Sequence, residues 1–385
     1  MNTYGRFPVN IVKGEGLYVY DDEGRSFADF GSGISVNSLG HCHPAIVQAI
    51  RKQAETLCHC SNLYWSEPQL KVAEYLVKYS GLDRVFFCNS GAEANEGAVK
   101  LARKYFFDKG RSDKYEIITM EKSFHGRTLA TLTATGQDKV KTGFAPLPDG
   151  FVYAVFNDFE SLKSKVTEHT CAVMLEPIQG EGGIYPMDPD YIKDVAAFCK
   201  ENDLLLIFDE IQCGMGRTGT IFAYEQYGVV PDIVTTAKAL GGGLPFGTFI
   251  ASEEVAASFV PGSHGSTFGG NPVAAAASAA VFEIIEKDDL MAKVKELGAY
   301  LEASLLKLKE EFPDTVKAVR GKGLIYGMEV TCGASKIVNA CLEQGILLLN
   351  AGPDVVRFLP PFIITEKDID FVIKTLKKVL SFDME

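Results

Sequence analysis

No stretch of the 385-residue chain reaches about 18 uninterrupted apolar residues, so no membrane-spanning helix is expected. An excess of positive charge is missing too: 38 Lys and Arg stand against 50 Asp and Glu, a formal net charge of −12. Neither nucleic acid nor an anionic membrane would attract such a chain, and neither is an expected partner. An anionic substrate would then have to be held by individually placed Arg or Lys. Met1 to Val12 lacks the basic-then-apolar build of an export signal. The nine cysteines are odd in number and scattered from Cys42 to Cys341, so reduced thiols in a cytoplasm are expected. The one-residue spacings of His41-Cys42-His43 and Cys58-His59-Cys60 do not match zinc sites, and no metal is expected. Repeats, low-complexity tracts and linker-like runs are absent as well.

What is present is an ordinary globular composition, 46% hydrophobic and 23% charged, and a regular alternation of elements. Arg84–Cys88, Tyr115–Met120, Ala172–Leu175, Leu204–Phe208, Pro231–Ala237 and Phe246–Ala251 read as short strands. Helical patterns lie between them, such as Ala94, Ala98, Leu101 and Ala102. This alternation predicts an α/β fold with a mostly parallel, doubly wound sheet. A hairpin, Leu17–Tyr20 with Ser26–Phe30, and helices over Pro44–Leu57 and Glu67–Tyr79 come first. After a long charged helix, Leu290–Glu311, the pattern changes to Val316–Val330, Gly345–Leu349 and Val355–Ile364 with shorter helices, a smaller α+β part. The length suits a large domain over 51–285 and a small one assembled from 1–50 and 286–385.

In open α/β sheets chemistry collects at the carboxyl ends of the strands. Asp209 follows the buried run Leu204–Phe208, and Lys238 follows Pro231–Ala237, leading into Gly241-Gly242-Gly243. A lysine amine that condenses with an aldehyde, beside a carboxylate that keeps a pyridine nitrogen protonated, is what pyridoxal phosphate chemistry requires. A structural ion pair under the sheet is the alternative reading. Ser90-Gly91-Ala92, between strand and helix, offers amides, a dipole and a hydroxyl to an anion, or is an ordinary helix cap. Phe124 could stack on a flat ring and Arg127 could grip a carboxylate; core packing and a surface position are the plainer options. Glu176 to Gly183 and His264 to Pro272 are glycine-rich polar loops.

Together these motifs resemble the class III, ω-type aminotransferases of the fold type I pyridoxal phosphate family. Five separated motifs occur in the family order: Ser90-Gly91-Ala92-Glu93-Ala94, Phe124-His125-Gly126-Arg127-Thr128, Asp209-Glu210-Ile211-Gln212, Thr236-Ala237-Lys238 and Ser266-Thr267-Phe268-Gly269-Gly270-Asn271-Pro272. The resemblance implies that Lys238 is the lysine joined to the cofactor and the proton carrier, and that Asp209 pairs with the ring nitrogen. It places Ile211 and Phe124 on the two ring faces and Gln212 at the ring hydroxyl. Ser90, Gly91 and Ala92 would take the phosphate, with Thr267 arriving from the other subunit of a homodimer with shared sites. Arg127 would hold the carboxylate remote from the reacting amine, and Glu181 would mask Arg357 until an α-carboxylate arrives. Within the family, the Gly33–His41 passage and the wording of the motifs are most similar to members acting on N-acetylornithine and 2-oxoglutarate in arginine biosynthesis, where Ser266 helps hold the acylated substrate. Ornithine, 4-aminobutyrate and succinyl-diaminopimelate aminotransferases, and more distantly the glutamate semialdehyde aminomutase, are the rival members. Phe246-Gly247-Thr248 departs from the family, which more often has an aliphatic residue and Ala there.

Overall fold

A computed structural model describes residues 1–382, so the last three positions of the expected small domain, 383–385, lie outside the described residues. Its central sheet has seven strands in the order Arg84–Cys88, Gly247–Ala251, Ile233–Thr236, Leu205–Asp209, Thr170–Leu175, Glu116–Met120 and Phe151–Ala154. Gly247–Ala251 runs against both neighbours, and the other pairings are parallel. Thr170–Leu175, Leu205–Asp209 and Ile233–Thr236 are buried at every position. Helices cover both faces of such strands, which is why they read as unbroken apolar runs.

The helix Gly91–Asp108 lies on this sheet through Ala94, Ala98, Leu101, Ala102 and Phe106. Gly97 allows the close approach, since a Cβ there would stand 2.2 Å from the Phe249 ring. Burying a ring of that size contributes roughly 1.5–3 kcal/mol, so any larger residue at 97 would forfeit packing at the centre of the layer. Asp188 caps the helix Pro189–Glu201 by accepting from the amides of Asp190 and Tyr191, as Asp-Pro at a helix start leads one to expect.

The chain ends meet in a second sheet, where Ile11–Glu15, Tyr18–Asp21 and Ser26–Asp29 are joined by Ile346–Leu347, parallel to Ser26–Asp29. A third, antiparallel sheet holds Val316–Lys322, Ile325–Val330, Val355–Phe358 and Leu349–Asn350. The strand Phe151–Ala154 and the helix Phe159–Lys165 have no counterpart in the sequence reading. The strand is a half-buried sheet edge without a strong apolar pattern.

The Gly/Ser-rich passage after the hairpin forms a turn that the sequence does not announce. Ser32, Gly33, Ile34 and Ser35 all have positive φ, from 47° to 64°. For residues other than glycine such a conformation costs about 1–2 kcal/mol each. Tertiary hydrogen bonds offset it: Asp29 Oδ1 accepts from the amides of Gly31 and Ser32, and Arg217 Nε donates to Ser35 Oγ at 3.0 Å. Arg217 is fully buried, and its remaining donors reach Ser38 Oγ and the carbonyls of Leu324 and Pro360. Burial lowers its guanidinium to about 9. One side chain thus pins the amino-terminal segment, the loop after Asp209 and the carboxy-terminal part together.

Candidate active site

Three adjacent strands deliver carboxylates or an amine to one end of the sheet. Glu176 follows Thr170–Leu175, Asp209 ends Leu205–Asp209, and Lys238 comes two residues after Ile233–Thr236. A cavity of about 480 Å³ opens above them, between the Ser90–Ala92 turn, Phe124, Arg127 and Gln212.

Asp209 is fixed from three directions. Its Oδ2 accepts from Asn95 Nδ2 and from His125 Nδ1, each at 2.8 Å, and its Oδ1 accepts from the Ile211 amide at 3.1 Å. Thr235 Oγ1 donates to Asn95 Oδ1 at 2.7 Å, which sets the orientation of the Asn95 amide. Burial by itself would pull His125 down, but the hydrogen bond to Asp209 and the charges of Asp209 and Glu176 outweigh it and raise its pKa. Burial, partly opposed by His125, pushes Glu176 up to about 7. The Glu176 oxygens accept from the amides of Phe124 (2.9 Å) and Gly180 (3.2 Å) and so brace the two loops that carry Arg127 and Glu181.

Lys238 opens a short 3-10 turn at φ +47°, a left-handed conformation that glycine favours and lysine rarely adopts. Held strain of this kind concentrates at functional sites, where surrounding packing enforces it. Part of its surface opens into the cavity, while the dense surroundings desolvate the amine and lower its pKa. Glu181 and Asp209 push the other way, and Arg357 pushes with burial.

At the helix start Ser90 Oγ accepts from the Glu93 amide at 3.2 Å, so the cap reading of Ser90 is observed. The intrahelical ladder begins with the Ala94 amide on the Ser90 carbonyl. The amides of Gly91 and Ala92 precede it, at the positive end of an 18-residue helix, and both residues line the cavity. A Cβ on Gly91 would come within 2.7 Å of Ile211, so glycine is required for this turn and Ile211 to share the wall.

Behind Gln212 lies a buried cluster that joins the middle of the chain to its carboxy-terminal part. Arg357, on Val355–Phe358, donates through Nη1 to Glu181 Oε1 at 2.5 Å and to Gln212 Oε1 at 2.9 Å, while Gln212 Nε2 donates to Glu181 Oε1 at 3.1 Å. Burial would raise Glu181, but the charge and hydrogen bond of Arg357 prevail and hold it below the ordinary carboxylate value. Arg127 is exposed at the cavity wall with its guanidinium 5.5 Å from the Phe124 ring centre.

Within one chain Thr267 is exposed and stands outside the cavity. Ser266 comes nearer, its Oγ 3.4 Å from Asn89 Nδ2 at the cavity edge. Sequence reasoning missed Asn95, His125 and Glu176, although Glu176 directly follows the strand Thr170–Leu175 and His125 stands inside a quoted motif. It also missed Val36, which the left-handed turn leads into the cavity wall, and Phe246, where the chain departs from the family wording. Glu210 was passed over as well: both its oxygens accept backbone amides, of Ala223 and Tyr224, and burial pushes it up to about 8.

The model of the family described as aminotransferase class-III matches residues 1–380. The acetylornithine aminotransferase of Caldanaerobacter subterraneus subsp. tengcongensis is 54% identical over 382 residues, 99% of this chain and 97% of that protein. Among solved structures, the N-acetylornithine aminotransferase from Stenotrophomonas maltophilia superposes with a TM-score of 0.87 at 40% identity, covering 100% of this chain and 98% of that one. The ornithine aminotransferase from Toxoplasma gondii, solved with PLP at partial occupancy in its active site, gives 0.93 at 32% identity over 98% and 91%.

Proposed function

This chain belongs to the class-III aminotransferases, and from that premise we propose that it moves the amino group of N-acetylornithine to 2-oxoglutarate, with pyridoxal phosphate as cofactor. The products are N-acetylglutamate 5-semialdehyde and glutamate, a step of arginine biosynthesis. The observation that carries the reading is the convergence of Lys238, Asp209 and the amides of Gly91 and Ala92 on one cavity, in a chain 54% identical to an acetylornithine aminotransferase.

The donor set fits the cofactor. A helix start with free amides and a hydroxyl suits a phosphate, a buried carboxylate suits a protonated ring nitrogen, and a desolvated amine suits an aldehyde. When bound, pyridoxal phosphate supplies the aldehyde and the electron sink that lets a carbon next to nitrogen lose its proton. Gly91 and Ala92 hold the phosphate through their amides, and Ser90 adds its hydroxyl. Asp209 presents a carboxylate that Asn95 and His125 prevent from turning away. Phe124 and Ile211 confine the ring, and Gln212 donates toward the ring hydroxyl. Lys238 Nζ, whose pKa is lowered by its dry surroundings, would take the proton from the substrate carbon that bears the amine and hand it on.

Arg127 takes the substrate carboxylate remote from the reacting amine, and Ser266 stands by the acyl end. Glu181 keeps Arg357 masked while the amine donor is bound and releases it for the α-carboxylate of 2-oxoglutarate or glutamate. One cavity thereby serves two unlike substrates in turn. Thr267 is exposed in one chain, and the same reading has it reach the phosphate of a second copy, giving a homodimer with shared sites. Exposed Leu63, Tyr64, Trp65 and Phe268 supply an apolar surface for that contact. The proposal also includes the division into a large domain, 51–285, and a small one from both chain ends, and a cytoplasmic location in keeping with the absence of any disulfide among the described residues.

The test is a half-reaction panel. Cofactor-loaded protein is mixed with N-acetylornithine, ornithine, succinyl-diaminopimelate or 4-aminobutyrate, without oxo-acid, and the cofactor absorbance is followed for one turnover. Fastest bleaching with N-acetylornithine, reversed by 2-oxoglutarate, supports the reading. Fastest bleaching with another amine moves the substrate, and none with any amine removes the reading.

A further inference from the structure

A gate in which Glu181 leaves Arg357 needs a place for the displaced carboxylate. Glu181 is largely buried, and a carboxylate withdrawn from a buried guanidinium must find another cation or return to water. On its far side a second cavity, of about 470 Å³, is bordered by Glu181 itself, Gly182, Tyr185, Lys122 and Arg320.

Arg320 sits on the strand Val316–Lys322 with two of its nitrogens engaged. Its Nε donates to the Gly183 carbonyl at 2.8 Å, its Nη1 donates to Glu329 at 2.6 Å, and its guanidinium lies 4.0 Å from the centre of the Tyr185 ring. Its Nη2 is buried and has no hydrogen-bond partner among the described residues. Buried polar groups are seldom left so, because their lost hydration goes unreplaced. That Nη2 lies 3.3 Å from where a Cβ on Gly183 would stand, two residues beyond Glu181.

Lys122 flanks the same segment: its Cβ is 3.3 Å from the corresponding point on Gly182, and its ammonium is 5.7 Å from the Tyr185 ring centre. Arg320 and Lys122 therefore offer two positive charges to Glu329 and an incoming Glu181, a balanced set. Asp138, Lys139 and Asp354 line the same cavity, so that three cations there face three carboxylates before Glu181 is counted.

We propose that Arg320, assisted by Lys122, receives the Glu181 carboxylate when the gate opens, so that Arg320 positions Glu181 and decides how readily Arg357 is freed. The proposal rests on the two-substrate reading given above. Arg320 then acts on one half of the cycle only, the half that uses a dicarboxylate. It touches neither substrate nor cofactor.

The experiment uses holoenzyme and measures the two half-reactions separately by cofactor absorbance, first with N-acetylornithine and then, from the amino form, with 2-oxoglutarate. In Arg320→Gln the 2-oxoglutarate concentration giving half-maximal rate rises about tenfold, the loss of one charge-assisted hydrogen bond. The N-acetylornithine half-reaction changes by less than about twofold on the same footing. Arg320→Lys restores part of the difference, and Lys122→Met shows a smaller effect in the same direction. A crystal structure of the wild-type holoenzyme with glutarate places the Glu181 carboxylate within hydrogen-bond distance of Arg320 Nη2. Equal losses in both half-reactions would make Arg320 a scaffold residue and overturn the proposal, as would Glu181 still on Arg357 in the glutarate complex. Wild-type protein that reacts with no amine would instead remove the reading beneath it. Should Arg320→Gln fail to fold, the glutarate complex decides alone.

Discussion

Asp209, at the floor of the cavity, is held by three hydrogen bonds from its own chain, whereas Thr267, assigned to the same cofactor, stands exposed outside that cavity. The floor is made of strand ends and the first turn of a long helix, elements fixed by a core that one copy completes. The rim is made of the loop around Ser266–Asn271 and of the segment Leu63–Trp65, with Trp65 84% exposed. Preorganised charge belongs on the rigid part, because a group that must be moved into place loses most of its electrostatic advantage. A contact that needs a second copy can reside in a loop. In the proposed dimer the difference separates chemistry, complete in one chain, from cofactor retention, which two copies would share.

The largest effect expected from disturbing the floor is that of Lys238→Ala, which removes the lysine amine lining the cavity and lowers turnover by roughly 10⁴-fold. A single-turnover assay with N-acetylornithine checks it, and a loss under about tenfold would contradict the assignment. Asp209→Asn keeps the shape and removes the charge, costing roughly 10²-fold or more in the same assay. It also strips His125 of its main support, so the pKa of His125, followed by NMR, should fall. An unchanged value would mean that another group holds the proton.

At the rim, Thr267→Ala should weaken cofactor retention by about tenfold, the worth of one hydrogen bond to a charged group, while leaving the chemistry of loaded sites nearly intact. Mixing the Lys238→Ala and Thr267→Ala proteins should then restore tight cofactor binding to some active sites, since a mixed dimer carries one complete set. Absence of any recovery would count against shared sites. The smallest effect is optical: Trp65 is the single tryptophan, so association that covers it should shift its emission to the blue, and dilution should reverse the shift.

Buried carboxylates beneath the floor give a pH signature that the rim cannot. Burial raises Glu176 to about 7 and Glu210 to about 8, from an ordinary 4.5. Between about pH 4.5 and 8 the folded chain then binds more protons than the unfolded one, and through these two groups stability falls as pH rises across that window. Glu210→Gln should flatten the melting temperature against pH between about pH 4.5 and 8. Parallel curves for the two proteins would show that Glu210 is ionised throughout.

Features written in contiguous residues were legible without the fold. Leu204–Phe208 announces a buried strand because both faces are apolar, and Asp209 must then sit at its end. Asp188-Pro189 announces a helix start for equally local reasons. The long helix Leu290–Glu311 was read to its ends, whereas the half-buried edge strand Phe151–Ala154 gave no pattern to read. Five motifs in family order pointed to the family before any distance was known.

The sequence by itself thus determined the sheet strands, the order in which polar residues leave them, and the reaction class those residues can support. Tertiary structure alone decided that Ser32–Ser35 would turn left-handed around Asp29 and Arg217, and that His125, Asn95 and Glu176 would enclose Asp209. It also decided that Arg357 would find Glu181 at a separation of 176 positions. Local steric preferences and hydrophobic period act over a few neighbouring residues, and they can be read along the chain. A buried charge is placed by whichever partner the packing brings to it, and that partner can come from anywhere in the sequence.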